Sequence, residues 1–412
     1  MKRRSIFMAV AVLFVILSVL SACNSGTTDN GTQNSGTQSQ SPEVSQSSQP
    51  AGNTPPPGSA APGEASTSPG AAQPPEGAAE QKIYTYDDLV ELASRITRPV
   101  NLRIGMATAG RHYQNFMADK LKEIVEEVSD NVTIEIFPGG QLGSVAQMME
   151  SVLNGSLEGA TFPAAFLSTV APAVSVIEVP FLFDDQVGSA EQAYRVLNSG
   201  TSLDEYLYRR GIVPIAWLRS GDNFLLSDSE ISQVSDFQGK KLRCHTSEFV
   251  QNTLRLLGAT PTIIENSELI VSLQNGTVDG TESDPSFAVT QGLYQVVNYY
   301  TLTPIRTNQI VLILSADIWD SYPPETQEFI RAANQYVLRE FEYDYYLNIE
   351  ATAFTAMEEE GVIITRPDAA FISDMRRLTA SVADDFRNKD ADCAAIYDEF
   401  VALITADSAA HR

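Results

Sequence analysis

Arg243 is a side chain of this sequence whose chemistry would allow it to hold a small carboxylate. It lies in the stretch Lys241-Leu242-Arg243-Cys244, whose alternation is typical of a β-strand. Its planar guanidinium can offer two parallel N–H donors to the two oxygens of a carboxylate, a fit that lysine cannot reproduce. From the residues alone, an ion pair with a neighbouring acidic side chain is the other interpretation of an arginine at the end of a strand.

The segments that must position Arg243 alternate between the periods of strands and helices. Apolar residues recur at every second position over 100–106, follow helical spacing over 117–128, and alternate again over 132–136. The same order begins again at Val213. It predicts an α/β fold with a mainly parallel sheet and helices on both faces, in which ligands bind beyond the carboxyl ends of the strands.

One uninterrupted helical stretch follows Pro324. Residues 325 to about 360 contain neither glycine nor proline. At 1.5 Å per residue, a helix over this range would span roughly 55 Å. No single small domain needs a helix of that length, so the sequence predicts two lobes that the helix bridges.

The N-terminal residues have the pattern of an export signal. A cationic start at 1–4 precedes an apolar run at 6–20, which is shorter than the roughly 20 residues of a membrane span, and 1–22 is predicted to be a signal peptide. The run ends in Leu20-Ser21-Ala22-Cys23, which resembles the bacterial lipobox and predicts a lipid on Cys23. An ordinary signal peptide with an incidental cysteine is the alternative.

The segment 23–80 is predicted to be a disordered linker. It has no lysine, arginine or aromatic residue after Cys23, and its composition cannot bury enough apolar surface to offset the entropy of ordering it. Together with a lipid on Cys23, the linker predicts a protein held to the cell membrane by lipid on its extracytoplasmic face.

Composition and motifs argue against several classes of function. The chain has 27 basic and 52 acidic residues and a formal net charge of −25, which disfavours nucleic-acid binding. Its three cysteines and three histidines have no metal-ligand spacing, so no metal and no cofactor is predicted. An extracytoplasmic hydrolase is the main alternative of a different class, but the G-x-S-x-G motif is missing from the sequence and His411 lies at the C-terminus.

Six ordered blocks between Leu102 and Phe400 resemble the substrate-binding proteins of TRAP (tripartite ATP-independent periplasmic) transporters of the dicarboxylate-binding type. Each block is weak alone, and their joint order and spacing carry the resemblance. The blocks are Phe137-Pro138-x-x-Gln141-Leu142-Gly143, Asn154-Gly155-Ser156-Leu157-Glu158, Pro180-Phe181-Leu182-Phe183, Asp236-Phe237-Gln238-Gly239-Lys240-Lys241-Leu242-Arg243, Leu273-Gln274-Asn275-Gly276-Thr277-Val278-Asp279-Gly280-Thr281-Glu282 and Trp319-Asp320-Ser321-Tyr322-Pro323-Pro324.

The resemblance implies a periplasmic-binding-protein-like clamp of two lobes, with hinge strands and a long bridging helix. After a short helical extension at 81–98, it implies lobe 1 at 99–219 plus about 307–340, and lobe 2 at 220–306 plus about 341–405. It also implies a binding protein rather than an enzyme, which captures a small organic acid and passes it to the small and large membrane subunits of a TRAP permease driven by an ion gradient. Arg243 matches the family's carboxylate-binding arginine.

The sequence departs from the family pattern around the rest of the implied site. Arg219 is a further candidate for the ligand site, and Asp222-Asn223 after it stands where many members place Phe-Arg. The Asp222 carboxylate would repel a second acidic group on the ligand. Glu282 lies in Thr281-Glu282-Ser283 in place of Gln-Glu-Asn, and Asn308 lies where members often carry other groups. We therefore expect a monocarboxylate that bears hydrogen-bond donors, with Asp222 reading its far end.

Two further residues are candidates for the ligand pocket. Tyr113, next to His112, follows the first predicted strand, and Phe162 ends another strand. A turn on the surface is the alternative for the first position, and a core phenylalanine is the alternative for the second. The receptor subunit of an ATP-driven importer and a ligand sensor feeding a signalling protein are the alternative functions within the binding proteins.

Overall fold

The computed structural model describes residues 82–110, 112–183 and 189–411. The predicted signal peptide (1–22), the predicted lipid on Cys23 and the predicted linker (23–80) lie outside these residues.

Nine strands in the described part of the chain form one mixed sheet. Their order across the sheet is β2-β1-β3-β8-β4-β7-β5-β6, and β9 pairs with β8 off this path. The strands are β1 (Val100–Met106), β2 (Val132–Phe137), β3 (Gly159–Pro163), β4 (Ile212–Ser227), β5 (Lys241–Cys244), β6 (Thr260–Ile263), β7 (Gly280–Ser283), β8 (Tyr299–Ser315) and β9 (Ile363–Thr365). The two ends of the sheet are parallel, as the alternation of strands and helices predicts, whereas the central strands are antiparallel.

The helices connect these strands and cover the sheet. They are α1 (Tyr86–Ser94), α2 (Tyr113–Val128), α3 (Val145–Leu153), α4 (Ser189–Leu197), α5 (Ser202–Tyr208), α6 (Glu248–Leu256), α7 (Asn266–Gln274), α8 (Pro285–Thr290), α9 (Ala316–Ser321), α10 (Pro324–Val337), α11 (Tyr343–Glu359), α12 (Ala369–Thr379), α13 (Ser381–Arg387) and α14 (Ala391–His411). Helix α1 lies in the predicted helical extension. None of the helices in the described ranges has both the length and the apolar character of a membrane span.

Local sequence explains where several of these helices begin. Ser144 starts α3 with a capping box, because its hydroxyl accepts from the backbone N–H of Gln147 and the Gln147 side chain accepts from the backbone of Ser144. Asp284 starts α8 in a related way, and its side chain accepts from the backbone N–H of Phe287. His112 caps α2 through its ring nitrogen Nδ1. The residues that begin α2 and α8 are therefore held in fixed positions.

The long strands β4 and β8 belong to both halves of the sheet. The first part of β4 pairs with the last part of β8 beside β3, and the second part of β4 pairs with the first part of β8 beside β7. Between Arg219 and Asp222 the register shifts by one extra residue in β4, and Gly221 there has φ +84. This β-bulge bends the strand where it passes from one half of the molecule to the other.

The helix predicted after Pro324 runs to Glu359, with one irregular turn. Between α10 and α11, Leu338–Glu342 forms a π-helical turn, so the chain stays helical over the predicted range. Single π-turns of this kind are rare and occur often at functional sites.

The π-turn carries a buried acidic side chain that ties the long helix to strand β4. Glu342 is 0% exposed, and its carboxylate accepts from the backbone N–H of Arg219 at 2.7 Å, from the Arg219 guanidinium and from the hydroxyl of Tyr113. Arg219 also pairs with Glu191 on α4 and lies 3.4 Å from the centre of the Tyr194 ring. The network therefore joins α2, α4, β4 and the long helix.

The C-terminal helix packs on the half of the molecule that contains β3. Ile396, Phe400 and Ile404 of α14 belong to the same buried cluster as Phe162 of β3 and Leu203 of α5. The predicted lobe boundaries placed residues up to 405 in lobe 2, and these contacts favour lobe 1 for α14.

We predict that Glu342→Gln lowers the free energy of unfolding by about 2 kcal/mol, because it removes one of the two carboxylates that pair with the buried Arg219 guanidinium and leaves only Glu191. Urea denaturation monitored by circular dichroism measures this loss. Glu340→Gln, on the same turn but 43% exposed beside Arg339, is the matched control and should change the stability by less than about 1 kcal/mol. Equal effects of the two substitutions would contradict the structural role of the network.

Candidate functional site

A cavity lies where the carboxyl ends of four strands meet. Thr108 follows β1, Pro163 ends β3, His245 follows β5 and Asp284 follows β7, and all four residues line the cavity. This is the edge of the sheet at which the sequence predicts a ligand. Strands β4 and β8 contribute further residues from the centre of the sheet.

Arg243 lines the cavity as the third residue of β5. It is 7% exposed, and neutral acceptors fix two of its nitrogens: Nε donates to the Ile264 carbonyl at 2.8 Å and Nη2 donates to Asn266 Oδ1 at 2.6 Å. Among the described residues, Nη1 has no hydrogen-bond acceptor and no carboxylate forms an ion pair with the guanidinium. Burial lowers the pKa of Arg243, as expected for a cation that has been removed from water. Among the described residues, Arg243 therefore does not form the ion pair with a neighbouring acidic side chain that was the alternative interpretation.

A second arginine lines the cavity, and it is neutralised. Arg306 Nε donates to Glu282 Oε2 at 2.7 Å, and Arg306 Nη2 lies 2.6 Å from the same oxygen. Both side chains are buried. Nη2 of Arg306 also lies 3.3 Å from Nε2 of His245. The pair fixes Arg306 and Glu282 to each other at the floor of the cavity.

The two histidines of the cavity are neutral near pH 7. Burial lowers the pKa of His112 to about 4. Burial, followed by the nearby charges of Arg306 and Arg243, lowers the pKa of His245 well below its ordinary value. These rings can donate or accept one hydrogen bond, but they add no positive charge to the site.

Asp284 is an acidic side chain of the cavity whose partners are neutral. Its Oδ1 accepts from the backbone N–H of Phe287 at 2.9 Å, and its Oδ2 accepts from Asn308 Nδ2 at 3.2 Å. Asn308 also donates to Ser220 Oγ at 3.2 Å. Burial raises the pKa of Asp284 to about 6.

One side of the cavity is apolar. Phe166 and Phe287 line it together with Val145 and Pro163. Phe287 packs edge-on against His112 with ring centres 6.4 Å apart, and Phe166 lies 5.8 Å from the ring of His245. The site therefore combines a polar side, which can hold charged groups, with an aromatic side, which can cover a carbon skeleton.

The structure brings three of the seven predicted ligand residues to this cavity: Arg243, Glu282 and Asn308. Arg219 and Tyr113 instead take part in the buried network around Glu342. Phe162 is 0% exposed and packs in the core behind β3, which matches the alternative interpretation of that residue.

Asp222 also lies away from the lining of the cavity. It accepts a hydrogen bond from the Ser189 hydroxyl, and the next residue, Asn223, lines the cavity instead. Because neighbouring side chains of a strand point to opposite faces, the bulge at Gly221 decides which of the two residues reaches the ligand side.

Sequence reasoning missed Asn223, His245 and Asn266 as cavity residues and did not select Asp284 or Arg306. One signal was available for His245, since it stands two residues after Arg243 and so shares a face with it in an extended chain. Asp284 could have been found from its place between a strand and a proline that begins a helix. A signal was available for Asn223 too, because it stands where the family pattern places its second arginine.

The chain matches a known family over most of its length. Residues 104–390 match the family described as "Bacterial extracellular solute-binding protein, family 7". The uncharacterized protein YiiZ of Salmonella typhimurium is 28% identical over 247 residues, which are 58% of this chain and 74% of that protein. The C4-dicarboxylate-binding periplasmic protein DctP of Rhodobacter capsulatus is 25% identical over 242 residues, or 58% of this chain and 72% of that protein.

Solved structures show the same architecture. A TRAP periplasmic solute-binding protein from Desulfovibrio salexigens with bound orotic acid superimposes with a TM-score of 0.68 at 25% identity, covering 74% of this chain and 99% of that chain. The predicted α/β fold, a two-lobed binding-protein clamp, is thereby confirmed, and family and fold are those of solute-binding proteins. The chain belongs to family 7 of the bacterial extracellular solute-binding proteins, which capture small organic acids for TRAP transporters, as its sequence blocks predicted.

Proposed function

We propose that this protein binds its organic acid through Arg243 in the cavity between β5, β7 and β8. One observation carries the proposal: Arg243 is a buried cation with neutral partners, and its Nη1 has no acceptor among the described residues. A ligand carboxylate at Nη1 would supply the missing acceptor and the missing negative charge. Glu282 and Asn308 line the same cavity and are the other predicted ligand residues that we retain.

The relatives support a carboxylate as the group that Arg243 holds. One relative is named for C4-dicarboxylates, and one solved neighbour contains orotic acid. These ligands differ in shape and size, but each carries a carboxylate. The alternative functions, a receptor for an ATP-driven importer and a sensor, have no comparable support.

We propose that the clamp closes on the ligand by bending β4 and β8. The hinge would separate lobe 1, at 99–219 plus about 307–340, from lobe 2, at 220–306 plus about 341–405, except that α14 would move with lobe 1, against which it packs. Support comes from the bulge at Gly221, since hinges are a few residues that absorb a change in backbone dihedral angles. The closed form would then dock on the small and large membrane subunits of its permease.

We also propose that the mature protein is held on the extracytoplasmic face of the membrane by lipid on Cys23. The support is the apolar run that ends at Cys23, together with a following segment that has no positive charge. An acidic chain does not adsorb on anionic lipid by electrostatic attraction, so a covalent lipid would supply the attachment.

Arg243→Ala should weaken binding of the organic acid by roughly 30-fold to several thousand-fold, because removal of one partner of a desolvated charge pair costs about 2 to 5 kcal/mol. Arg243→Lys should restore only part of the affinity. Isothermal titration calorimetry, with a ligand identified by a thermal-shift screen of organic acids, measures the change. Arg255→Ala, an exposed arginine on the following helix, is the matched control and should bind normally. Normal binding by Arg243→Ala would refute the assignment.

Two phenylalanine substitutions should separate the core from the site. Phe162→Leu should lower the melting temperature, because it leaves a cavity in a fully buried cluster, but leave the dissociation constant of the folded protein within about threefold. Phe166→Leu, at a half-buried residue of the cavity, should weaken binding with a smaller loss of stability. The reverse pattern would mean that Phe162 contacts the ligand after all.

Mass spectrometry of protein from the native membrane should find an acylated N-terminal Cys23. Cys23→Ser should release the protein from the membrane fraction, because the lipid attachment site is lost. Cys244→Ser, at a buried free cysteine, is the matched control and should leave the protein in the membrane fraction. An unmodified N-terminus at another residue would disprove lipidation.

A further inference from the structure

The charges that face the cavity leave one cation and one anion without an opposite partner. Arg306 and Glu282 neutralise each other at 2.6 Å. The histidines are neutral, since burial depresses the pKa of both rings. Among the described residues that line the cavity, this leaves Arg243 on β5 and Asp284 at the end of β7.

Asp284 lies in a buried environment that disfavours the charged form of a carboxylate. It is 4% exposed, and its two hydrogen-bond donors, the backbone N–H of Phe287 and the amide of Asn308, are uncharged. No ion pair to Asp284 forms within the described ranges. A buried carboxylate without a cationic partner is destabilised, and the raised pKa of about 6 has the same cause.

Arg243 and Asp284 come from neighbouring strands. Strands β5 and β7 are parallel and adjacent, with Arg243 opposite Thr281, and Asp284 follows three residues later at the carboxyl end of β7. Strands in one sheet lie about 4.8 Å apart, so a small molecule can reach both side chains. Phe166 and Phe287 cover the space beside the two charges.

We propose that the ligand is a zwitterion, a monocarboxylate that also carries an ammonium or another cationic N–H group, and that Asp284 is the residue that selects it. The inference rests on the proposed function, because Arg243 must bind the ligand carboxylate. Asp284 then takes the selecting role that sequence analysis gave to Asp222.

The alternative ligand classes fit these charges less well. A dicarboxylate would bring its second carboxylate into the cavity of Asp284, where low polarity strengthens the repulsion. A plain monocarboxylate would satisfy Arg243 and leave Asp284 without a cation. A zwitterion supplies both missing partners and enters the site with no net charge, so neither protein charge stays uncompensated.

Calorimetric titration of the full-length protein with two matched sets of probes tests the proposal, at a pH above the pKa of Asp284. The first set is 4-aminobutyrate, pentanoate and glutarate, which place an ammonium, a methyl group and a carboxylate at the same position. The second set is 3-aminocyclohexanecarboxylate, 3-methylcyclohexanecarboxylate and cyclohexane-1,3-dicarboxylate, which place the same three groups on one carbon of a six-membered ring. We expect the zwitterion to bind most tightly in at least one set. The proposal is overturned if each zwitterion binds more weakly than the other probes of its set. It is also overturned if neither zwitterion binds.

Asp284→Asn removes the charge while it keeps a side chain that can cap α8. It should weaken binding of the preferred zwitterion roughly 10- to 100-fold, as expected for a hydrogen bond to a charged group, and reduce the discrimination against the matched dicarboxylate. Asp368→Asn is the matched control, because Asp368 caps α12 through the backbone N–H of Phe371 at 2.7 Å and does not line the cavity. It should leave both affinities unchanged. Equal affinities in Asp284→Asn and the unmodified protein overturn the role of Asp284.

Binding measurements on Arg243→Ala show whether a failed prediction contradicts the zwitterion proposal or the proposed function. If the unmodified protein prefers glutarate or cyclohexane-1,3-dicarboxylate and Arg243→Ala abolishes that binding, the zwitterion is wrong and the carboxylate anchor stands. If Arg243→Ala binds its preferred probe normally, the anchor itself is wrong.

Discussion

The antiparallel pairing of β4 with β8 is the constraint on which the rest of the molecule depends. These two strands are long enough to enter both halves of the sheet, so the halves share one hydrogen-bonded core. Their pairing brings Asn223 from β4 and Arg306 and Asn308 from β8 to the cavity, while β5 and β7 supply the residues of one half. The bulge at Gly221 interrupts the pairing where β4 passes from one half of the sheet to the other.

The network around Glu342 and the cavity differ in whether their buried charges have partners of opposite charge. Around Glu342, each acidic oxygen has a donor, and Arg219 has carboxylates on both sides, so the network is satisfied without a ligand. In the cavity, the partners that Arg243 and Asp284 have among the described residues are all neutral. A buried charge that has a partner costs the fold less than one that lacks it, and a bound molecule can supply the partners that Arg243 and Asp284 lack.

Local patterns predicted the elements better than they predicted the site. Strand β5 was found at its observed bounds, because alternation is a property of a few consecutive residues. Arg243 was found for the same reason, since it ends a strand in a recognisable block. Asp222 was expected in the cavity, but Asn223 lies there, because one inserted residue in β4 changes the face that each side chain takes. That insertion depends on the partner strand, and Gly221 is its one local sign, since a glycine inside a strand often marks a bulge.

The π-turn at Leu338–Glu342 places one more residue in the bridging helix than a regular turn would hold. Loss of one residue between 338 and 342 would therefore restore a regular turn and leave the residues after it at nearly their present rotation, with Tyr345 stacked 3.7 Å from Phe116 and Glu350 beside Gly221. Each α-helical residue advances about 100° around the axis, so loss of one residue from the regular turns of α10 would rotate everything after it by about that angle. Within the helix 324–359, the π-turn is thus the place where the chain can lose a residue and keep the relative phase of the two helix ends.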